Sequence, residues 1–253
     1  MKAMGSRFIS AVAFYGPKTG RLRDLLTGVQ ALIAEHVGAD FRPYTLEQVH
    51  ATLIALNGVR EGGGTVVNEY LLEHAGVRQK MDLPRVMDIL AQRFAVPLRV
   101  RIGGFRPEAA IPFTSRGQHL AERTFSVQGE AFVLMGWPAD SLAGVEGSSR
   151  TRRPLDELRR AMNAAGVLHR YHARPADVDN DLHLVVGHHA GAPAGALARA
   201  TAAVRDKLAA DPADLAIGLS DVTIVAADSH TLAPPLYVSG VPAPAAEVLA
   251  LMP

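Results

Sequence analysis

The sequence has 253 residues, of which 48% are hydrophobic and 20% charged, an ordinary composition for a globular protein with a buried core. Its 26 basic and 25 acidic side chains leave a net charge of +1, which gives no overall attraction to nucleic acid. No cysteine is present, so disulfides, thiolate metal sites and a cysteine nucleophile are excluded, and we expect a reducing, cytoplasmic setting.

The chain begins with a predicted strand and helix. Phe8–Tyr15 is rich in β-forming residues and ends at the turn signal Gly16-Pro17. This apolar run is too short to span a membrane, and no small-residue cleavage site follows it. A helix that stops near Gly38 is predicted next, because one apolar stripe is formed by Leu22, Leu25, Leu26, Val29, Leu32 and Ile33.

Two further strands are predicted at Val49–Leu56 and Leu98–Ile102. The region between them, from about residue 66 to 94, is predicted to be helical with breaks near Gly76 and Pro84. A similar order then begins again. Its predicted elements are a strand at Ala131–Trp137, a helix from Pro154 to Gly166, a strand at Leu182–Val186 closed by Gly187, a helix around Leu197–Leu208, a strand at Val222–Ala226 and another at Pro235–Ser239.

The order of strand, helix, strand with histidine, helix and strand thus occurs twice. It predicts an α/β (α+β) fold, a single bilobed domain over residues 1–253, with lobe one at about 6–104 and lobe two at about 129–240. Each lobe is expected to be an antiparallel-type sheet flanked by helices, with a cleft between the lobes. The irregular segment 105–128 and the stretch 138–153 are expected to be insertions. The sequence leaves the oligomeric state open.

The first chemical signal is the run from Gln48 to Leu53. On a strand, residues i and i+2 point to the same face, so His50 and Thr52 are expected to project together. An imidazole moves protons near neutral pH and a hydroxyl donates a hydrogen bond, a combination that suits a phosphate. Taken alone, this signal is weak, because a histidine on a strand more often has a structural role than a functional one.

The second signal is His183, which follows Asp181 and Leu182 at the corresponding place in the second half. A two-lobed cleft would bring one histidine from each half face to face. The pair therefore favours a functional site more than either histidine does alone.

The run His50-Ala51-Thr52-Leu53 resembles the His-x-Thr-hydrophobic signature of the two-histidine (2H) phosphoesterases, the family that includes RNA-ligase-like proteins and cyclic phosphodiesterases. The order of elements is similar over most of the chain. The resemblance implies a bilobed α/β fold in which each lobe contributes one motif to a shared cleft. It also implies hydrolysis of a cyclic phosphodiester, either a 2′,3′-cyclic nucleotide or an RNA terminus.

Carried over to this chain, the resemblance makes His50 and His183 the acid–base pair and Thr52 the phosphate-binding residue, with no metal and no cofactor. One position departs from the family pattern. Val185 stands where the second motif has threonine or serine, so one hydrogen bond to the phosphate would be lost. Such a loss raises the activation free energy by about 1–4 kcal/mol and so slows turnover. The alternative is a weakened or inactive homologue that binds a nucleotide or an RNA end.

The remaining polar clusters have simpler interpretations. His188 and His189 are expected in an exposed loop after Gly187. His169 and His172 form a possible metal-ligand pair, which leaves open a metal-dependent hydrolase with sites between His169 and His189. Tyr15 is expected either to stack on a base or to pack. A solvated helix face is the interpretation favoured over a phosphate-binding patch for the basic residues Arg150, Arg152, Arg153, Arg159 and Arg160.

Overall fold

A computed structural model of the chain describes residues 7–142 and 152–253. Its strands are β1 Phe8–Ala13, β2 Phe41–Pro43, β3 Ala51–Ala55, β4 Gly58–Arg60, β5 Val66–Asn68, β6 Leu98–Ile102, β7 Phe125–Gln128, β8 Ala131–Pro138, β9 Leu182–His189, β10 Ala213–Ile217, β11 Val222–Ala227 and β12 Tyr237–Gly240. Its helices are α1 Gly20–Val37, α2 Glu69–Ala75, α3 Leu83–Phe94, α4 Leu120–Arg123, α5 Ala139–Leu142, α6 Pro154–Ala161, α7 Ala194–Ala210 and α8 Ala245–Ala250. None of the helices in these ranges is long and apolar enough to cross a membrane.

Ten strands form one large antiparallel sheet flanked by helices, which confirms the predicted α+β class. The strand order is β10-β6-β8-β9-β3-β1-β11-β12, with β2 added to β9 and β7 added to β8. Strands from the two halves of the sequence are interleaved in this sheet. β6 of the first half lies between β8 and β10, and β11 of the second half pairs with β1. The predicted lobes therefore describe the order of the chain, whereas the sheet itself is continuous.

One face of the sheet is covered by α1 and α7, which pack against each other and against the main core. The stripe predicted for α1 faces this core, with Leu25, Leu26, Val29 and Ile33 fully or almost fully buried. Alternate strand residues point to the opposite face, called the open face below. Two small apolar clusters lie there: one around Val133, Met135 and Trp137, the other around Val12, Val225, Ala227 and Leu232.

The strand that carries His183 is longer than predicted. It runs through Gly187 to His189, so His188 and His189 lie on a strand and the prediction of a loop there is wrong. Gly187 allows this because β2 approaches it closely. A Cβ at this position would lie 2.6 Å from the carbonyl oxygen of Arg42, and β2 pairs with β9 across this glycine.

The region predicted to be helical from residue 66 to 94 begins instead with a strand. Val66–Asn68 pairs with Gly58–Arg60 as a small hairpin, and helices α2 and α3 follow, with the expected break after Ala75. Asn68 caps α2 by accepting a hydrogen bond from the amide of Leu71. The sequence patterns predicted no strand at Ala213–Ile217. This strand, β10, pairs with β6 and forms one edge of the sheet.

Candidate active site

Strands β3 and β9 bring the two sequence motifs side by side. They pair antiparallel, with Ala51 opposite Leu184, and both of these residues are buried in the main core. The neighbouring positions point to the open face, so Thr52 lies opposite His183 and His50 lies opposite Val185. In the register set by this one pair, His50, which immediately precedes β3, and His183 are diagonal neighbours.

A cavity of about 170 Å³ opens on this face between the two apolar clusters. Thr52 and His183 line it, and His50 does not. Four arginines and two aspartates also line it: Arg116, Arg123, Arg159, Arg170, Asp179 and Asp181. The wall thus carries a formal excess of positive charge, which favours an anionic ligand.

His183 is held in the cavity without a hydrogen-bond partner for its ring within the described part of the chain, and its Nε2 is fully buried. Burial is the main reason that the pKa of His183 is lowered to about 4; Asp179 raises it and Arg116 lowers it by smaller amounts. The imidazole is therefore neutral at pH 7 in the free protein. A buried ring nitrogen with no partner is an unsatisfied polar group, and a ligand placed against it would remove that cost.

His50 lies further along the same face, in a different environment. Its Nδ1 donates to the carbonyl oxygen of Gln48 at 2.7 Å, and its ring centroid is 5.8 Å from that of Tyr15. Burial lowers the pKa of His50, and nearby Lys18 lowers it further, against the opposing effect of the Gln48 carbonyl. Because a carbonyl only accepts, Nδ1 carries the proton and Nε2 is left as the acceptor.

Tyr15 has a structural place in this arrangement. Its hydroxyl donates to the carbonyl oxygen of Leu232 at 2.7 Å, and its ring packs against the apolar cluster around Val12 and Leu232. Of the two roles expected for Tyr15, the structure gives it the packing role.

The side chain of Arg159 bridges β3 and the segment that leads into β9. This residue of α6 is only 2% exposed, so the predicted solvated face is wrong at this position; Arg150 lies outside the described residues. Its guanidinium donates to four main-chain carbonyl oxygens, those of Thr52, Leu53, Asp179 and Asp181. These bonds replace the sheet ladder where β3 and β9 diverge. They explain why a single residue pair defines the register between the two strands.

Asp179 and Asp181, which precede β9, are surrounded by donors. The carboxylate of Asp179 is 2.7 Å from His169 Nε2, 3.4 Å from Arg159 and 3.8 Å from Arg116. Burial alone would raise the pKa of Asp179, but Arg159 and His169 hold it well below its usual range. Asp181 accepts from Trp137 Nε1 and Ser115 Oγ, both at 2.7 Å, and from Arg123 at 3.2 Å.

The two histidines considered as metal ligands each bind an aspartate instead. His169 Nε2 contacts Asp179, and His172 Nε2 contacts Asp156 at 2.9 Å. Within residues 7–142 and 152–253, no group of three or more histidine, aspartate or glutamate side chains is arranged to hold a metal ion.

The mouth of the cavity carries an arginine–tyrosine stack. The guanidinium carbon of Arg116 lies 4.2 Å from the ring centroid of Tyr171, and that of Arg170 lies 5.2 Å away. Sequence reasoning missed Arg116, Arg123, Arg159 and Asp179. Only the aspartates immediately before His183 offered a local signal, because the arginines come from distant loops and from α6.

No protein-family model and no curated protein matches the chain. Among solved structures, the crystal structure of TT0787 from Thermus thermophilus matches it with 13% sequence identity and a TM-score of 0.42. The match covers 92% of this chain and 97% of TT0787.

Proposed function

We propose that this protein is a metal-independent phosphodiesterase that opens a cyclic phosphodiester, a 2′,3′-cyclic nucleotide or an RNA end, with His50 and His183 as its proton-transfer pair. The proposal includes membership of the two-histidine phosphoesterases, which the His50-Ala51-Thr52-Leu53 motif suggests. The observation that carries it is that Thr52 and His183, from the neighbouring strands β3 and β9, line the same arginine-lined cavity.

Both side chains line the cavity with hydrogen-bonding capacity that other described residues do not use. Neither the hydroxyl of Thr52 nor the ring of His183 has a hydrogen-bond partner within the described residues. A phosphate seated between them would accept from the Thr52 hydroxyl and from His183 in its protonated form. Arg123 is already paired with Asp181, and Arg159 and Arg116 both pair with Asp179, so the unpaired positive charge at the mouth within the described residues is that of Arg170.

The hydrogen bond between His50 and Gln48 suggests which histidine is the general base and which is the general acid. With Nδ1 protonated, Nε2 of His50 takes the proton of a water molecule as that water attacks phosphorus. The bond from phosphorus to the ribose 3′ oxygen breaks, and His183 donates a proton to that oxygen, which leaves a 2′-phosphate. An anionic phosphate beside His183 favours the imidazolium form and so opposes the effect of burial on its pKa.

The experiment is hydrolysis of each of the four 2′,3′-cyclic nucleoside monophosphates in the presence of EDTA, with 2′- and 3′-phosphate products resolved. We expect a 2′-phosphate product that is lost in His50→Ala and in His183→Ala. His36→Ala, at the end of α1 on the other side of the sheet, serves as the control. Activity that is unchanged in both variants would overturn the proposal, as would activity that EDTA abolishes.

A second candidate is a binding protein on the same fold, and Val185 favours it. This side chain packs against the apolar cluster around Val133, Met135 and Trp137, so the place opposite His50 offers a methyl group where the family motif has a hydroxyl. The binding protein would retain a nucleotide or RNA end without turnover. Binding of a 2′,3′-cyclic nucleotide measured by calorimetry, together with no product after prolonged incubation, distinguishes it from the enzyme.

A further inference from the structure

A second cavity adjoins the first and is larger. Its volume is about 580 Å³, within the range of about 300–1,000 Å³ that is usual for ligand sites, whereas the first cavity, at about 170 Å³, falls below that range. The first cavity has room for a reacting phosphate and little more. The two cavities share Arg116, Arg170, Tyr171 and Asp181 as lining residues, so a ligand can extend from one into the other.

The charges of the second cavity suit a phosphate chain. Arg116, Arg153, Arg170 and Arg174 line it, opposed by Asp177 and Asp181. Asp181 is already saturated by Trp137, Ser115 and Arg123, and Asp177 is paired with Arg174. Within the described residues Arg153 and Arg170 make no ion pair, so their charges remain for an anion.

The backbone conformation of Arg116 is unusual for a residue with a side chain. Arg116 and Gly117 form a two-residue turn closed by reciprocal hydrogen bonds between Ser115 and Gln118, and both turn residues have positive φ, +49° and +78°. Such turns favour asparagine and glycine, because a side chain with an ordinary Cβ is strained at positive φ. An arginine is held there against its backbone preference, and its guanidinium lies over the ring of Tyr171 and within 3.8 Å of the Asp179 carboxylate.

We propose that the Arg116–Tyr171 stack is a subsite for the nucleotide next to the reacting phosphate. Its base stacks on the arginine–tyrosine pair, and its phosphate lies near Arg153 and Arg170 in the second cavity. This inference rests on the proposed function and narrows its substrate to an oligonucleotide end of at least two nucleotides. Aromatic rings and guanidinium planes are the surfaces on which unpaired bases stack in proteins.

The test is a comparison of affinities for two ligands of the product type, adenosine 2′-monophosphate and the dinucleotide ApA ending in a 2′-phosphate, by calorimetry on the intact chain. Neither ligand is a substrate, so the result does not depend on turnover. We expect the dinucleotide to bind about tenfold or more tightly than the mononucleotide, as one stacked base provides. In Tyr171→Ala this ratio falls about fivefold or more, because the stacked base is lost while the phosphate contacts remain, and in Tyr171→Phe it is retained.

Arg116→Asn separates a binding role from a structural one. Asparagine is favoured at positive φ, so this variant keeps or raises the urea midpoint while it lowers the affinity ratio. Arg199→Gln, on the exposed side of α7, is the control and is expected to keep both the urea midpoint and the affinity ratio of the unchanged protein. Equal affinities for the two ligands, no binding of the dinucleotide, or a ratio that survives Tyr171→Ala would overturn the subsite. Failure of the proposed function itself is detected by a separate measurement, the absence of hydrolysis, and not by these binding affinities.

Discussion

The guanidinium of Arg159 holds Asp179 in two ways: Nη1 donates to its main-chain carbonyl oxygen at 2.8 Å and lies 3.4 Å from its carboxylate. The same guanidinium reaches the carbonyl oxygens of Thr52 and Leu53 on the neighbouring strand. One buried side chain therefore fixes the spacing between the strand that carries Thr52 and the segment that leads to His183.

Replacing Arg159 is expected to destabilise the fold. Arg159→Met leaves the Asp179 carboxylate buried beside fewer positive groups and four carbonyl oxygens without their donor, so we expect a loss of about 3–5 kcal/mol in the free energy of unfolding. Arg159→Lys retains the charge but cannot reproduce the planar array of donors, and its loss is smaller. Urea unfolding measures both. Arg174→Ala, whose side chain is 81% exposed, is the control and is expected to leave the free energy of unfolding nearly unchanged, because exposed ion pairs contribute little to stability. A stable Arg159→Met variant would contradict this account.

Val185→Thr is expected to raise the rate of hydrolysis if the chain is the proposed enzyme. The substitution restores a hydroxyl opposite His50 at nearly constant volume, and one additional donor to the phosphate in the transition state is expected to increase kcat by about tenfold or more. The measurement is kcat on a 2′,3′-cyclic nucleotide with EDTA present. Val185→Ala changes the volume without adding a hydroxyl and is the matched control. An unchanged kcat in a folded Val185→Thr protein would argue that no phosphate reaches this position.

Stability is expected to fall as the pH is lowered from about 6.5 to about 4. Burial lowers the pKa values of His169 and His183 to about 4, whereas unfolded histidine titrates near 6.5. The unfolded state therefore binds more protons in this window, and stability decreases as protons become available. At pH 5 each of these histidines is expected to cost about 2 kcal/mol, since one pH unit corresponds to about 1.4 kcal/mol.

Urea midpoints at pH 7.5 and pH 5.0 check this expectation. His169→Gln removes one of these titrating groups and should reduce the difference between the midpoints, whatever its effect at pH 7.5. Midpoints that agree at the two pH values would show that neither imidazole is held neutral by burial.

Gly187→Ala is expected to destabilise the sheet by about 1–3 kcal/mol, the usual cost of overpacking. The added Cβ would lie 2.6 Å from the carbonyl oxygen of Arg42 and 2.6 Å from the ring of Phe41, so β2 would have to move away from β9. Gly240→Ala in β12 is the matched control, because no atom lies within 4 Å of a Cβ built there. The free energies of unfolding of the two variants give the comparison, and equal values would exclude a close approach at Gly187.

The amino-acid sequence by itself determined which segments are strands and helices wherever periodicity is strong. The stripe from Leu22 to Ile33 predicted α1, and the alternation in Leu98–Ile102 predicted β6. It also predicted that His50 and Thr52 share one face, because side-chain direction alternates along any extended chain; in the structure His50 immediately precedes β3. Local rules failed at Gly187, where a glycine that resembles a strand end is the place at which β2 makes contact.

Only the tertiary structure decided which distant groups surround His183. Arg159 had the same local pattern as its exposed neighbours, and nothing in that pattern distinguishes the residue of α6 that turns inward beneath β3 and β9. Arg116 and Tyr171 come from loops 55 residues apart in the chain, and their stack depends on how those loops fold over the sheet. Periodicity is a property of neighbouring residues, whereas a binding site is formed by contacts between segments far apart in sequence, which local pattern does not encode.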